Sequence, residues 1–264
     1  MRLQAAADEL GVHYQTAYGW VRNGQLPARK MRGGYEVSDE AVRAFAARRL
    51  LGREPASQVK VRDWAAQAER LYQAIARGQE TQAITATSRL AGHVTMTDLC
   101  DRVIGPALRR IGDEWEAGRI SVAREHRASA ICERIIASGA RQAPGRPRGE
   151  AVVATPPGER HALPALMASA CLRENRWHVH HLSADLPGSE IAALAAQVGA
   201  RLVVLSTATT DAAGQAADAA DLVRAAVPGV TVLVGRPGDS LGQLRDQAAG
   251  RLPRSPGPAS ARMP

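Results

Sequence analysis

The chain has 264 residues, a length that exceeds one typical domain and suits two or three. Its formal net charge of +8 and sequence pI of about 10.2 favour an anionic partner, most simply nucleic acid. No apolar stretch reaches the ~20 residues of a membrane span, the first residues contain no apolar signal region, and the three cysteines match neither a metal-binding spacing nor a disulfide framework. We therefore expect a cytoplasmic protein without a membrane partner.

Residues 1–52 carry the pattern of a winged helix-turn-helix. Apolar residues recur at helical spacing over 3–10, a glycine interrupts the pattern, and a second helix is predicted over 13–22. A tight basic hairpin over 30–37 and a helix capped by Ser38 follow. Glutamine can read adenine, while hydroxyl and basic side chains can reach phosphate. The side chains that we expect to contact DNA are Gln15, Thr16, Tyr18, Arg22, Lys30 and Arg32.

The predicted core of this segment consists of Ala6, Leu10, Val12, Ala17, Trp20 and Val21. The stretch resembles the excisionase-type and MerR-type winged helix-turn-helix domains, and that resemblance implies DNA binding. The residues that carry it are Ala5, Ala6, Leu10, Gly11, Val12, Thr16, Ala17, Trp20, Gly24, Leu26, Pro27 and Val37. Gly19 is a departure, because such domains usually carry a polar or basic residue there. A glycine costs about 1 kcal/mol of helix stability and offers no phosphate contact. The alternative interpretation is a small helical adaptor that has lost DNA binding.

Residues 57–140 predict four helices, which is typical of a helical bundle. Their apolar stripes recur over 64–75, 83–91, 99–115 and 122–139. Gly78 and Gly92 stand where two of these helices are expected to end. Linkers rich in proline and glycine, at 52–55 and 142–149, separate this segment from its neighbours.

Residues 149–250 alternate apolar strands with alanine-rich helices. The predicted strands are 151–154, 177–182, 202–206 and 230–235, and the predicted helices are 163–175, 191–198 and 213–226. This alternation predicts an open parallel sheet of Rossmann-like type, which binds ligands beyond the carboxyl ends of its strands. The fold class is thus multidomain α and α/β. The tail 251–264, rich in proline, is expected to be disordered.

The helical segment contains a Trp-x9-Glu-His motif, formed by Trp115, Glu125 and His126. With the preceding 103–112 stretch it resembles the cobalamin-capping bundle of methionine-synthase-like and corrinoid-carrier proteins. The motif itself is the narrower mark of the cobalamin-dependent photoreceptor repressors of the CarH/LitR-like group. The resemblance implies that Trp115 covers the upper corrin face beside the adenosyl group, with Glu125 and His126 holding that face. Glu116 stands where those photoreceptors carry a cobalt-binding histidine, so bis-histidine ligation after illumination is not expected.

The α/β segment resembles the cobalamin-binding Rossmann-like domain along its length. Glu159-Arg160-His161 matches the family's acid-x-His motif, which implies that His161 binds cobalt from below and Glu159 orients its ring. The residues that the resemblance places along the nucleotide tail of the cofactor are Ser206, Thr207 and Gly235. Pro164 and Arg236 replace two glycines of the family pattern, and both changes oppose tail binding.

Three histidines, His178, His180 and His181, first suggest a metal cluster. Alternation along a strand puts His178 and His180 on one face and His181 on the other. No cysteine or carboxylate nearby in the sequence completes a site. We therefore expect these histidines to lie at a solvated sheet edge.

Together these resemblances imply a non-enzymatic transcriptional regulator, a repressor in the resembled family. We expect it to use adenosylcobalamin or another cobalamin, to bind double-stranded DNA and to assemble as a homo-oligomer; a light response is a further possibility that the family suggests. One alternative is a cofactor-independent regulator whose degenerate cobalamin-binding fold serves dimerisation or partner binding. Another is a corrinoid carrier for methyl transfer, which the helix-turn-helix segment disfavours.

Overall fold

A computed structural model describes residues 1–10, 14–22, 24, 26–31, 34–51 and 63–250, with the backbone alone for 46–51. The chain forms two compact units that divide near residue 58. None of the described helices is long and apolar enough to cross a bilayer. The predictions made for Val12, Arg32 and the tail 251–264 lie outside the described residues. The three-domain division stays a prediction.

The first unit contains the expected helix-turn-helix and hairpin. Its elements are α1 (Leu3–Glu9), α2 (Tyr14–Arg22), β1 (Arg29–Met31), β2 (Gly34–Glu36) and α3 (Asp39–Leu51). The strands pair antiparallel. Ser38 caps α3 as predicted, since its hydroxyl accepts a hydrogen bond from the Ala41 nitrogen at 3.1 Å. Ala6 and Ala17 are fully buried, and Leu10, Trp20 and Val21 pack against this core with partial burial.

The second unit begins with the predicted four-helix arrangement. Its helices are α4 (Trp64–Arg77), α5 (Glu80–Ala91), α6 (Met96–Leu99) continued by a π-helical turn (Cys100–Ile104) into α7 (Gly105–Glu116), and α8 (Val122–Gly139). Gly78 ends α4 with a left-handed φ of +73°, and Gly92 ends α5. Both predicted helix ends are confirmed.

The π-helical turn was not predicted, and Pro106 explains it. A proline has no N–H and clashes with the carbonyl four residues back, here that of Arg102. The chain widens just before it, so that the Gly105 nitrogen donates to the carbonyl of Cys100, five residues back. Trp115, near the end of α7, is 46% exposed although it follows the buried Ile111 at helical spacing.

The second unit continues with an open sheet. Its elements are β3 (Glu150–Ala154), α9 (Ala162–Glu174), β4 (His178–His181), α10 (Gly188–Gln197), β5 (Leu202–Ser206), α11 (Ala213–Ala226), β6 (Thr231–Gly235) and α12 (Leu241–Ala248). The strand order is β4-β3-β5-β6 with every pair parallel, which confirms the predicted sheet. Helices α9 and α12 cover one face, and α10 and α11 cover the other. Helix α12 was not predicted.

Helix α9 lies between the bundle and the sheet. Ala165, Ala168 and Leu172 pack on the sheet, whereas Leu163 and Met167 pack against the bundle core. This explains why the sequence of α9 is apolar all around, since both of its faces are covered.

Two carboxylates fasten the bundle to the sheet by capping helices across the boundary. Glu174, at the end of α9, accepts hydrogen bonds from the nitrogens of Met96 at 2.8 Å and Thr97 at 3.3 Å, which begin α6. Asp101, in the π-helical turn, accepts from the nitrogens of Leu241 at 2.9 Å and Gly242 at 3.0 Å, which begin α12. Each carboxylate satisfies N–H groups that the capped helix cannot satisfy itself.

We expect Asp101→Ala to lower the free energy of unfolding of the second unit by about 0.5–2 kcal/mol, the usual cost of losing a helix cap. Urea unfolding followed by circular dichroism measures this change. Asp218→Ala is the matched control, because Asp218 is exposed on α11 and should leave the unfolding midpoint unchanged. Equal midpoints for Asp101→Ala and wild type contradict a capping role.

Candidate functional site

A buried carboxylate, Glu159, joins the loops that follow β3 and β5. Its side chain is 1% exposed. One carboxylate oxygen accepts hydrogen bonds from the backbone nitrogen of His161 at 2.9 Å and from its ring Nδ1 at 2.5 Å. The other oxygen accepts from the nitrogens of Ala208 at 2.7 Å and Thr209 at 3.1 Å, and from the Thr209 hydroxyl at 3.3 Å. These contacts lie where the strand order reverses between β3 and β5, the usual ligand position of an open α/β sheet.

The hydrogen bonds also determine the charge of Glu159. Burial alone would raise the pKa of this carboxyl, but the backbone N–H groups of His161 and Ala208 and the His161 ring outweigh it and lower the pKa below its usual value. Glu159 is therefore an anion at neutral pH. Because a carboxylate only accepts hydrogen bonds, Nδ1 of His161 carries the proton of this bond, and Nε2 is the ring nitrogen left to bind a ligand.

His161 is placed to offer that lone pair to a ligand. It is the residue that precedes α9, and its side chain is 62% exposed although its partner Glu159 is buried. Among the residues that the structure describes, Nε2 has no hydrogen-bond partner. The structure thus brings Glu159 and His161 together as the acid-x-His motif predicts.

The loop that carries Glu159 and His161 is tied to the loop after β4. The Asp185 carboxylate accepts from the Gly158 nitrogen at 2.7 Å, and the Asp185 nitrogen donates to the Thr155 hydroxyl at 2.8 Å. That hydroxyl donates to the Glu159 carbonyl at 2.8 Å. Gly158 has a φ of +81°, a left-handed conformation that favours glycine. Sequence analysis does not identify Thr155 or Asp185, because thirty residues separate them.

The three predicted tail residues line one cavity of about 130 Å³ between the sheet, α9 and α12. Ser206 and Thr207 are largely buried in its wall, and the Thr207 hydroxyl donates to the Gly235 carbonyl at 2.7 Å. A Cβ at Gly235 would meet protein atoms only at 3.8 Å or more, which is ordinary contact. Packing within the fold therefore does not require glycine at position 235. The small residue instead leaves space in the cavity that it lines.

Pro164 and Arg236 also line this cavity. Pro164 lies in the first turn of α9, where a missing N–H breaks no helical hydrogen bond, so it leaves the helix intact. The Arg236 nitrogen donates to the Asp239 carboxylate at 2.9 Å, which shapes the turn before α12. A cavity of about 130 Å³ is small for a bulky ligand group, so a nucleotide tail requires the 236–240 turn or α12 to move outward.

The predicted upper-face residues lie on either side of the turn between α7 and α8. Trp115 is 46% exposed near the end of α7, and within the described part of the chain its side chain makes no hydrogen bond or ring contact. Glu125 accepts from His126 Nδ1 at 2.6 Å and from the Ser129 hydroxyl at 2.6 Å, in the first turn of α8. The structure brings Glu125 and His126 together but joins neither to Trp115. Trp115 and Val122 are both exposed apolar side chains, near the end of α7 and at the start of α8.

The predicted DNA-contacting residues are mostly exposed in the first unit. Gln15, Thr16 and Arg22 are exposed on α2, and Lys30 is exposed on β1. Tyr18 differs, because its half-buried ring stacks on Tyr14 at 6.2 Å and meets Tyr35 edge-on at 5.8 Å. Neighbouring aromatic rings hold part of Tyr18 against the core, and its contact with DNA stays a prediction.

Charge is distributed unevenly along the chain. Residues 1–62 contain eleven lysines and arginines against six acidic residues, whereas residues 63–250 contain twenty of each kind. Residues 63–250 are therefore neutral, whereas residues 1–62 contribute five and residues 251–264 three of the eight excess positive charges. Gly19 has open space where a Cβ would stand, so packing does not explain this glycine.

The expectation that no carboxylate accompanies the strand histidines is wrong. Glu150 accepts from Nδ1 of His178 at 2.6 Å and from Nε2 of His180 at 2.8 Å. Sequence proximity missed it because Glu150 lies on the neighbouring strand β3, 28 residues before His178. His181 lies on the opposite face, where its Nδ1 contacts the Ser169 hydroxyl at 3.0 Å.

Three protein-family models match the chain. A model described as a helix-turn-helix domain matches residues 1–50. Two models, each described as a B12 binding domain, match residues 67–138 and 149–243. The matched ranges correspond to the first unit, the helical bundle and the open sheet.

Two curated relatives and a solved structure are among the proteins similar to the chain. The HTH-type transcriptional repressor CarH of Myxococcus xanthus is 32% identical over 137 residues, and CarA of the same organism is 33% identical over 140. These alignments cover 51% and 52% of this chain and 46% of each relative, so the chain matches about half the length of these relatives. The monomethylamine corrinoid protein of Methanosarcina barkeri has the same fold, with a TM-score of 0.58 at 15% identity over 71% of this chain and 99% of that one. The chain thus combines a helix-turn-helix domain with two B12-binding domains, and it is homologous to the CarH and CarA repressors.

Proposed function

We propose that this protein is a cobalamin-responsive transcriptional regulator that binds double-stranded DNA through residues 1–50. The observation that carries the proposal is the Glu159–His161 pair at the switch point of the sheet, in a chain that also holds a helix-turn-helix. A buried carboxylate that orients an exposed imidazole is the arrangement by which proteins strengthen a histidine ligand to a metal. The names of CarH and CarA support a regulatory, non-enzymatic role.

The donor set fits adenosylcobalamin or another cobalamin. When bound, the corrin would supply a cobalt ion, and Nε2 of His161 is the group that would bind it from the sheet side. Ser206, Thr207 and Gly235 would line the nucleotide tail once the cavity opens. Trp115, Glu125 and His126 would contact the other face, which gives a function to a tryptophan that is 46% exposed.

Regulation follows from differential affinity. A ligand shifts a conformational or oligomeric equilibrium only by the difference in its affinity for the two states. A cofactor held by His161 on one side and by the bundle on the other would favour one arrangement of bundle and sheet. The helix caps at Glu174 and Asp101 are contacts through which such a preference can spread. We propose that a homo-oligomer with altered DNA affinity results.

A light response is a further part of this proposal. The CarH/LitR-like resemblance suggests that loss of the adenosyl group in light removes the surface on which Trp115 packs. Size-exclusion chromatography in the dark and after illumination tests it. A smaller species after illumination supports the light response, and an identical elution volume contradicts it while leaving cofactor binding intact.

Cofactor-independent regulation is the second candidate. The small cavity, with Pro164 and Arg236 in its wall, favours a fold that has lost its ligand. The absorption spectrum of protein reconstituted with adenosylcobalamin in the dark decides between the two. A bound corrin spectrum supports cobalamin sensing, whereas a colourless protein that still binds DNA supports the second candidate.

We expect Arg22→Ala to weaken binding to all DNA sequences and to reduce the slope of log K against log salt by about 0.9, because one phosphate contact is lost. Gln15→Ala should instead relax base preference by about 1–3 kcal/mol at one position, since Gln15 is exposed on α2. Gel-shift titrations at two salt concentrations, on sites selected from a random DNA library, measure both.

Arg224→Ala is the control for this experiment, because Arg224 pairs with Asp221 on α11 of the second unit, outside the proposed interface. The Arg224→Ala variant should bind DNA with the affinity and the salt slope of wild type. Unchanged DNA affinity in the Gln15→Ala, Arg22→Ala double variant would rule out α2 as the recognition helix.

A further inference from the structure

The edge of the sheet farthest from β6 holds two histidines and a glutamate on one face. Strand β4 pairs in parallel with β3, so that Glu150 stands opposite His178 and Val152 opposite His180. Because side chains alternate across a strand, His178, His180 and Glu150 point to the same face. This register gathers three potential metal ligands from two strands.

The ligand atoms are already close together. One Glu150 oxygen contacts His178 Nδ1 at 2.6 Å and His180 Nε2 at 2.8 Å, and the three ligand atoms all lie within 4.8 Å of one another. The two imidazole rings meet edge-on with centroids 5.1 Å apart. The described residues offer no lysine or arginine that pairs with Glu150 instead.

The cluster is accessible to an ion without being fully solvated. The side chains of His178, His180 and Glu150 are 59%, 29% and 35% exposed. Val152 and Ala154, which point to the same face farther along β3, are fully buried under α10 and α11. The cluster therefore lies on the part of this sheet face that α10 and α11 do not bury, and its potential ligands belong to regular strands.

This position is separate from the proposed cofactor site. Glu150 begins β3, whereas Glu159 and His161 lie beyond its end, so the length of the strand, roughly 13 Å, lies between them. The cluster also occupies the α10 side of the sheet, whereas the tail cavity lies on the α9 and α12 side.

We infer that Glu150, His178 and His180 bind a divalent transition-metal ion of the zinc type. Two imidazole nitrogens and a carboxylate oxygen are ligands that zinc accepts at about 2.0–2.2 Å, and three protein ligands leave a fourth position to water. A metal ion takes the place of the protons that the two rings share with Glu150, and those protons pass to the solvent. The ligands need to separate by less than ~1 Å to admit it. The bound ion fastens the edge strand β4 to β3.

Zinc binding to the full-length, metal-stripped, cofactor-free protein tests this inference. Titration against a chromophoric chelator gives affinity and stoichiometry, and we expect one tight zinc site in wild type. His178→Gln, His180→Gln and Glu150→Gln should each weaken binding by about tenfold or more. His93→Gln is the matched control, because His93 is exposed in the turn after α5. His161→Gln tests whether zinc instead occupies the Glu159–His161 pair.

A thermal melt of each protein with and without zinc separates lost ligands from lost folding. Zinc should raise the Tm of wild type, of His93→Gln and of His161→Gln, because a ligand that binds only the folded state stabilises it. Variants of the cluster should have the wild-type Tm without zinc, and added zinc should not raise their Tm. The inference is overturned by a wild type that binds no zinc, by cluster variants that bind as tightly as wild type, or by a loss confined to His161→Gln.

Discussion

Protein carrying His161→Ala, reconstituted with adenosylcobalamin in the dark, is expected to give a base-off spectrum or to retain no cofactor. The variant removes Nε2, the lone pair that Glu159 orients outward. Loss of a residue that orients a metal ligand typically costs about 10–100-fold in metal affinity, and loss of the ligand itself should cost at least about 100-fold. Absorption spectra after gel filtration measure both cofactor retention and axial ligation.

His161 precedes α9 and is largely exposed, so its removal should leave the circular dichroism spectrum of the cofactor-free protein unchanged, whereas the Tm should fall because buried Glu159 loses one hydrogen-bond donor. His93→Ala is the matched control and should bind cofactor as wild type does. If His161→Ala shows the wild-type spectrum with full occupancy, another group binds cobalt and the central residue of the proposed function is misassigned.

Glu159→Ala is expected to destabilise the second unit by about 3–5 kcal/mol, the usual cost of breaking a buried charged network. The substitution leaves the N–H groups of His161, Ala208 and Thr209 without their acceptor inside the protein. It also frees the His161 ring, so cofactor affinity should fall together with stability. Urea unfolding at pH 7 measures the first effect, and cofactor retention the second.

The pH dependence of stability provides an independent readout of the same carboxylate. The pKa of Glu159 lies below its usual value in the folded protein, so its contribution to stability is complete above the unfolded-state pKa, near 4.5, and is lost as the pH falls through the folded-state pKa. Wild type should therefore lose more stability on acidification than Glu159→Gln. Glu190→Gln, at an exposed position on α10, should follow wild type. Parallel acid profiles for wild type and Glu159→Gln would contradict the assigned network.

Much of the architecture could be predicted because local patterns express it. Alternating apolar runs and alanine-rich helices led to a parallel sheet whose four strands match the predicted ones to within a few residues. Helical spacing led to the bundle, and Gly78 and Gly92 marked two helix ends. The pairing of Glu159 with His161 could also be predicted from the sequence, because the two residues are close in the chain and contact each other directly.

Contacts between distant segments were decided by tertiary structure alone. The Glu159 carboxylate accepts a hydrogen bond from the nitrogen of Ala208, 49 residues later in the chain. Asp101 caps a helix that begins 140 residues after it. The pairing of β3 with β4 brings Glu150 to His178 and His180, which turned a set of strand histidines into a candidate metal site. Periodicity specifies which face of an element is buried, but strand register and loop pairing depend on the packing of the whole unit. The sequence by itself therefore determined the elements and the motif histidine, whereas packing decided the partners that orient it.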